Sequence, residues 1–303
     1  MKKFFLFFVV FFNMVNTYAK DLEFTIMHNH GGVSDIVSRF IVNEMNSSYV
    51  PLNRPGASGQ IAIKHLLDRE TVMLATMIQV FVTNPLNHKT LNYNPETDLE
   101  LLATIGIMPS ALVCHAKTQL KTYSDFKNFN KKITFGVGGY GSSEHIATET
   151  LLIKNQNING KIIPYAQGGN TSVKDLLGAH IDCMFANFPT IKPHLENKDI
   201  ILLMTSHELN LNVPTWESLY KNQFPFQSYL SIIISKKMED EKKLKIKKDL
   251  EKSFLKTDYN EKLKSLGIFP IPSTNNINLE KSLKEMEVIK NFILTNNIKT
   301  IEK

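Results

Sequence analysis

Apolar and polar positions over residues 20–303 fall into short strand-length runs separated by amphipathic stretches of helical period. Residues 22–27 (LEFTIM) alternate as a half-buried strand does, and residues 36–45 carry a helical pattern. A short strand near 49–52, a helix over 61–67 and a buried strand over 72–76 follow; 79–85 leads a short helix into a loop, and 93–98 is a turn. Apolar strands over 99–107 and 111–115 are broken at Pro109. After a strand, turn and helix over 133–152 come a strand (161–165), a turn (166–170), a helix (171–177, ending at Gly178) and a strand (180–185). A loop with a short helix (187–193), a strand at 200–206 and one at 228–235 complete the series. Beyond it the pattern is mainly helical, with Leu279, Leu283, Met286, Ile289 and Ile293 marking a terminal amphipathic helix. Strands alternating with helices predict α/β architecture with largely parallel sheets, whose ligand loops gather at the carboxyl ends of the strands.

The junctions carry the candidate chemistry. In ITFGVGGYGSSEHIATETLL (133–152) the glycines at 136, 138, 139 and 141 bring bare backbone close to a ligand, and Ser142 and Ser143 stand where a helix cap belongs, with Glu144 next. The free N–H groups of the helix's first turn then share the space, an arrangement suited to phosphate or carboxylate. Three further turns of this kind occur: His28-Asn29-His30-Gly31-Gly32-Val33-Ser34-Asp35, Asn53-Arg54-Pro55-Gly56-Ala57-Ser58-Gly59-Gln60, and Ala166-Gln167-Gly168-Gly169-Asn170. Gly136-x-Gly138-x-x-Gly141 also satisfies a dinucleotide fingerprint, but the acidic residue that should follow about 20 positions on is missing from Asn155-Gln-Asn-Ile-Asn-Gly-Lys161. A tight turn without a ligand is the plainer alternative.

Composition narrows the class. With 303 residues and 43% apolar content the chain is globular, of one large or two ordinary domains. Lys2-Lys3, an apolar run over 4–12, and Thr17 and Ala19 at the −3 and −1 positions read as a secretory leader over 1–19, cut before Lys20; a retained anchor is the alternative. The formal charge of +6 falls to +4 without the leader, and much of the excess lies in 236–264, which mixes both signs around Leu244, Ile246, Leu250, Phe254 and Leu255 as a solvated amphipathic helix would. No aromatic residues interleave with the basic ones, so no nucleic-acid partner is expected. Cys114 and Cys183 sit in separate strands; two buried thiols are preferred to a bridge, although an oxidising compartment would permit one. His28 and His30 lack a third ligand, so neither a metal nor a cofactor is expected.

Five segments in the same order resemble the extracytoplasmic solute receptors of tripartite tricarboxylate transporters, the Bug-type family. They are Gly31-Gly32-Val-Ser34-Asp35-Ile-Val-Ser-Arg39; Asn53-Arg54-Pro55-Gly56-Ala-Ser-Gly59; the loop 136–145; Pro164-Tyr165-Ala-Gln-Gly168-Gly169 with Asp175-Leu-Leu-Gly178; and Val213-Pro214-Thr215 with Glu217. The resemblance implies a type II periplasmic-binding-protein fold, two α/β lobes with a ligand cleft between them: residues 20–107 and 230–303 in one, 108–229 in the other. It also implies a monomeric periplasmic receptor that closes on a small organic carboxylate and hands it to membrane transporter subunits. The ligand-binding residues would be Asn29, His30, Gly31, Gly32, Ser34, Asp35, Ser58, Gly59, Gly138, Gly139, Tyr140, Gly141, Ser142, Ser143, Gln167, Gly168 and Asn187. Asn29-His30 stands where the family commonly has proline, and Ala186 where it commonly has Asp; a lost carboxylate and an added imidazole would make the pocket less negative. An exported hydrolase is the enzyme alternative, since His30-Gly31-Gly32 resembles an oxyanion loop, but there is no G-x-S-x-G elbow. A receptor that feeds a signalling partner is the other.

Overall fold

The computed structural model describes residues 22–45, 48–87, 91–165, 169–196, 198–221 and 228–300. The leader, its cut before Lys20, and Gln167 and Gly168 lie outside the described residues. Strands β1 (Leu22–Ile26), β2 (Tyr49–Asn53), β3 (Val72–Thr76), β4 (Leu99–Met108), β10 (Ser228–Ser235) and β11 (Phe269–Ser273) form a six-stranded sheet in the order β11-β4-β10-β3-β1-β2. A five-stranded sheet, β7-β6-β8-β5-β9, is built from β5 (Ser110–His115), β6 (Ile133–Val137), β7 (Gly160–Pro164), β8 (Cys183–Asn187) and β9 (Ile200–Thr205).

Each sheet is parallel where strand–helix–strand units build it: β1 with β2 and β3, β6 with β7 and β8. Antiparallel pairs enter where the chain changes sheets. The β4–β5 passage goes through Pro109, whose carbonyl accepts from the Phe188 N–H at 2.6 Å and so ties the crossover to the end of β8. The return strand, β10, lies antiparallel between β3 and β4. The terminal helix Asn276–Thr295 makes a third link: its buried Met286, Ile289 and Ile293 join one apolar cluster with Met77 and Val82 of the first lobe and Phe135 and Ile146 of the second.

Several expectations shift in register or kind. The first helix starts at Val33, not Ile36, which draws Ser34 and Asp35 into its first turn. The 236–264 stretch is two helices, Asp240–Phe254 and Tyr259–Ser265; Ile246 and Leu250 are buried, whereas Leu244 and Leu255 are exposed. Leu283 of the terminal row is exposed as well. Strand β11 was unforeseen because Pro270 and Pro272 disguise it; an edge strand paired only to β4 tolerates the missing donors. The helix Tyr123–Lys127 was also missed, although Thr122 and Asp125 close a reciprocal capping box around it.

The preference for free thiols is overturned: Cys114 and Cys183 form a disulfide. They are direct partners in the antiparallel β5–β8 ladder, a proximity that only strand register could reveal. The bridge closes a loop of 69 residues, for which chain entropy gives about 4 kcal/mol and removal of native bridges typically costs 2–5. Replacing both cysteines by serine is expected to lower urea-unfolding stability by about 2–4 kcal/mol, with a reductant doing the same to the wild type and nothing to the variant. Equal stability of wild type with and without reductant would contradict the bridge.

Candidate ligand-binding site

A cleft of about 700 Å³ lies where the carboxyl ends of strands from both sheets meet. From the six-stranded sheet it takes Met27, His28, Asn29 and Gly32–Ser34 after β1, Pro55–Gly59 after β2, Thr76 at the end of β3 and Met108 at the end of β4. From the other it takes Gly138–Glu144 after β6, Pro164 at the end of β7, and Asn187 and Thr190 at β8. Of the residues expected to bind ligand, Asn29, Gly32, Ser34, Ser58, Gly59, Gly138, Gly139, Tyr140, Gly141, Ser142, Ser143 and Asn187 line it. His30, Gly31 and Asp35 do not. The His30 side chain is 76% exposed, with Nδ1 3.3 Å from Arg39 Nη2, because the turn that presents Asn29 to the cleft turns its neighbour outward.

Asp35 shapes the first wall from behind. Its buried carboxylate accepts from the Gly31 N–H (3.0 Å), Arg39 Nε (2.9 Å) and Asn53 Nδ2 (2.9 Å), and Asn53 also donates to the His28 carbonyl. Burial alone would raise the carboxyl's pKa; these donors outweigh it and lower the pKa, so Asp35 is a charged clamp joining the turns after β1 and β2. Arg54 is likewise engaged, in a bidentate pair with Glu23 (2.7 and 2.9 Å) that His65 joins at 3.0 Å.

Residues 56–59 all have positive φ, including Ala57 (+46°) and Ser58 (+52°). For non-glycine residues this costs about 1–2 kcal/mol each. The Ser58 carbonyl is held there by Gln79 Nε2 (3.0 Å) and Asn84 Nδ2 (2.9 Å). Those two amides share a face because residues 78–83 wind as a π-helix, closed by Asn84 N–H to the Gln79 carbonyl; a spacing of five aligns them.

On the second wall, Ser142 caps the helix Ser143–Lys154 by accepting from the His145 N–H, and His145 Nδ1 accepts from the Gly141 N–H (3.2 Å). Of the first-turn amides, that of Glu144 meets its own carboxyl, while that of Ser143 has no intrahelical acceptor. Gly141 has φ +77°, and a Cβ there would stand 2.5 Å from Asn87 Nδ2 and 3.0 Å from the Thr300 carbonyl. This glycine is where one lobe's loop meets the other lobe and the chain's C-terminal segment. Glu144 itself is only 9% exposed, accepting from Asn187 Nδ2 (2.7 Å) and Ser143 Oγ (3.2 Å).

The family model for the tripartite tricarboxylate transporter family receptor matches residues 38–294. The chain belongs to that family. A UPF0065 protein of Bordetella bronchiseptica is 23% identical over 198 residues, an alignment spanning 62% of this chain and 58% of that protein. Among solved structures, R. palustris Rpa4515 with adipate superposes with a TM-score of 0.82 at 20% identity, covering 92% of this chain and 98% of that one. The periplasmic binding protein BugD gives 0.78 at 18%, with the same coverage. At those identities the likeness carries the fold, that of the type II periplasmic binding proteins.

The receptor's cleft includes residues that sequence reading missed: His28, Gln79, Thr83, Asn84, Asn87, Glu144, Thr190 and Thr300. The signal for Gln79 and Asn84 was two amides five apart in an apolar run. For Thr300 there was none, since its place depends on how the terminal helix packs. No lysine or arginine is among the lining residues described, and burial lowers the pKa of His28, leaving its imidazole neutral. Among the described residues, no cluster of ligating side chains fits a metal and no helix is long and apolar enough to cross a membrane.

Two outcomes follow from this geometry. Burial pushes Glu23 upward, but the Arg54 and His65 bonds outweigh it and bring its carboxyl from the ordinary 4.5 to about 2. A depressed acid stabilises above its unfolded value and loses that contribution as pH falls through its folded one. Glu23→Gln should therefore cost about 1–2 kcal/mol near neutrality, allowing for solvent screening, with the gap to wild type closing between pH 4.5 and about 2; a gap independent of pH in denaturation curves would refute the pair. Gly141→Ala, strained by about 1–2 kcal/mol and crowded against Asn87, should weaken ligand binding about tenfold or more in calorimetry while circular dichroism stays native.

Proposed function

We propose that this receptor captures a small organic carboxylate in the periplasm, closes its two lobes over it and presents it to the membrane subunits of a tripartite tricarboxylate-type transporter. The observation that carries this reading is the cleft wall: glycine turns and helix starts from both sheets, with no cationic side chain among the lining residues described. Such a wall holds an anion by backbone N–H groups. The adipate bound to Rpa4515, a protein of the same fold, supports the same ligand class. In this reading the chain is exported, cut before Lys20 and works as a monomer; one lobe comprises residues 20–107 and 230–303 and the other 108–229. Neither a hydrolase nor a signalling receptor has a specific observation in its favour: His30, which the oxyanion-loop alternative required, faces solvent.

The test is a thermal-shift panel of small organic acids on the protein lacking residues 1–19, with small-angle scattering before and after the best ligand. A ligand that binds only the native state gives about 2.7 kcal/mol at a hundredfold excess over its Kd, or roughly 5 °C for a chain of this size. Lobe closure predicts a smaller radius of gyration with ligand. No stabilisation by any acid, or ester hydrolysis by the purified protein, would overturn the reading. Intact mass of protein recovered from the periplasm checks the cut.

A further inference from the structure

Resting on the carboxylate reading above, we infer that Lys192 is a positioning residue for ligand binding: from outside the cleft it docks the Asn187–Thr190 wall onto the carbonyls that end the helix Tyr259–Ser265, and so favours the closed arrangement of the two sheets.

The segment 187–192 faces two ways. Asn187 and Thr190 line the cleft, whereas Lys192, which opens the turn after the short helix Phe188–Ile191, does not. Its ammonium donates instead to the carbonyls of Ser265 (2.5 Å) and Lys264 (3.3 Å), at the end of a helix that leads into β11 of the six-stranded sheet. The last carbonyls of a helix lack intrahelical donors and carry partial negative charge, which makes them a seat for a cation. No backbone N–H among the described residues reaches the Ser265 carbonyl, and the side chain of Lys264 pairs with Glu261 (2.8 Å). Lys192 thus brings the missing donor from the five-stranded side of the molecule.

A backbone contact stands beside this bond. Gly267, with φ +80°, presses the turn after the helix against the same segment: a Cβ there would lie 3.1 Å from Pro189 Cα and 3.3 Å from Phe188 Cδ1. Phe188 is in turn tied by its N–H to the Pro109 carbonyl at the crossover. The segment is therefore anchored at the crossover, packed against the other half at Phe188 and Pro189, and bonded to it at Lys192. A bond that spans the two halves stabilises only those arrangements in which its ends meet. Ligand contacts at Asn187 and Thr190 and the Lys192 bond act on one short segment from two sides, so each favours the arrangement that the other needs.

The experiment is calorimetry and stopped-flow binding with adipate, succinate and malate on the wild type, Lys192→Met, Lys192→Arg and, as a control for lost charge, Lys127→Met. Hydrogen exchange of the ligand-free proteins reads the contact without any ligand. With whichever acid the wild type binds most tightly, Lys192→Met is expected to bind about fivefold more weakly, chiefly by faster dissociation, with its urea midpoint close to that of wild type. Lys192→Arg, which keeps a cationic donor, should stay within about twofold of wild type, and so should Lys127→Met. Without ligand, the amides of Phe188, Thr190, Ile191 and Lys192 should exchange about threefold faster or more in Lys192→Met than in wild type. Wild-type affinity in Lys192→Met, an equal loss in Lys127→Met, or unchanged exchange over 188–192 would overturn the assignment while leaving the carboxylate reading intact. A wild type that binds none of the three acids would count against that reading, and the exchange comparison alone would then decide for or against Lys192.

Discussion

A wall without cations holds an anion through neutral donors, and the backbone N–H groups among them have no rotamers to adjust: the loops that carry them must themselves be fixed. Much of the polar structure around the cleft serves that requirement. Asp35 ties the turn after β1 to the turn after β2 through Gly31 and Asn53, and Arg39 supplies the charge that makes a buried carboxylate tolerable. Gln79 and Asn84 hold the Ser58 carbonyl in a left-handed turn that neither Ala57 nor Ser58 favours. On the opposite wall Ser142 and His145 bond back to the loop and helix start that carry them. Strain at 57–58 and ion pairing at 35–39 are thus parts of one device, preorganisation of amide donors, which lowers the ordering cost that binding must otherwise meet.

Preorganised halves still have to meet. Three features join them: the passage through Pro109, the return into β10, and the terminal helix whose apolar row shares one cluster with both lobes. The third matters for motion, because a helix packed on the π-turn of one lobe and reaching the other carries the C-terminal segment to the cleft, where the Thr300 carbonyl stands against Gly141. A ligand that touches both walls favours the arrangement in which that contact exists, by as much as its affinities for the two arrangements differ. Gly141 has no side chain for a geometric reason: the approach leaves no room for one.

The fold was legible wherever a single period spoke. Strands near 22–27, 72–76 and 133–137 and the helices between them could be read because parallel strands are apolar runs and their connections are amphipathic. The glycine turns could be read because positive φ and close approach leave glycine as the natural choice, and twelve of the expected binding residues do line the cleft. What escaped depended on register and long-range packing. β11 lies in the stretch whose pattern reads as mainly helical and is defined by its pairing with β4, and the Cys114–Cys183 bridge needed the β5–β8 register. His30 was misplaced by one step of a turn, and Thr300 stands in the cleft only because a helix some twenty residues long points it there.

The segments that carry family resemblance and the residues that confront the ligand turn out to be partly different sets, for a physical reason. In Asn53-Arg54-Pro55-Gly56, the asparagine serves the Asp35 clamp and the arginine pairs with Glu23, while Pro55 and Gly56 shape the turn into the cleft. A cradle of backbone amides is the same for many carboxylates, so a sequence that builds it says little about which one enters. The side chains among the lining residues, His28, Glu144 and Asn187 included, differ in donor and acceptor capacity, and no general rule of fold construction requires them. In this cleft the local rule that a buried acid should have a cation is broken at Glu144 and kept at Asp35. A buried acid held only by neutral donors in a cleft wall departs from the rules that build the fold, and such departures are expected where function is carried.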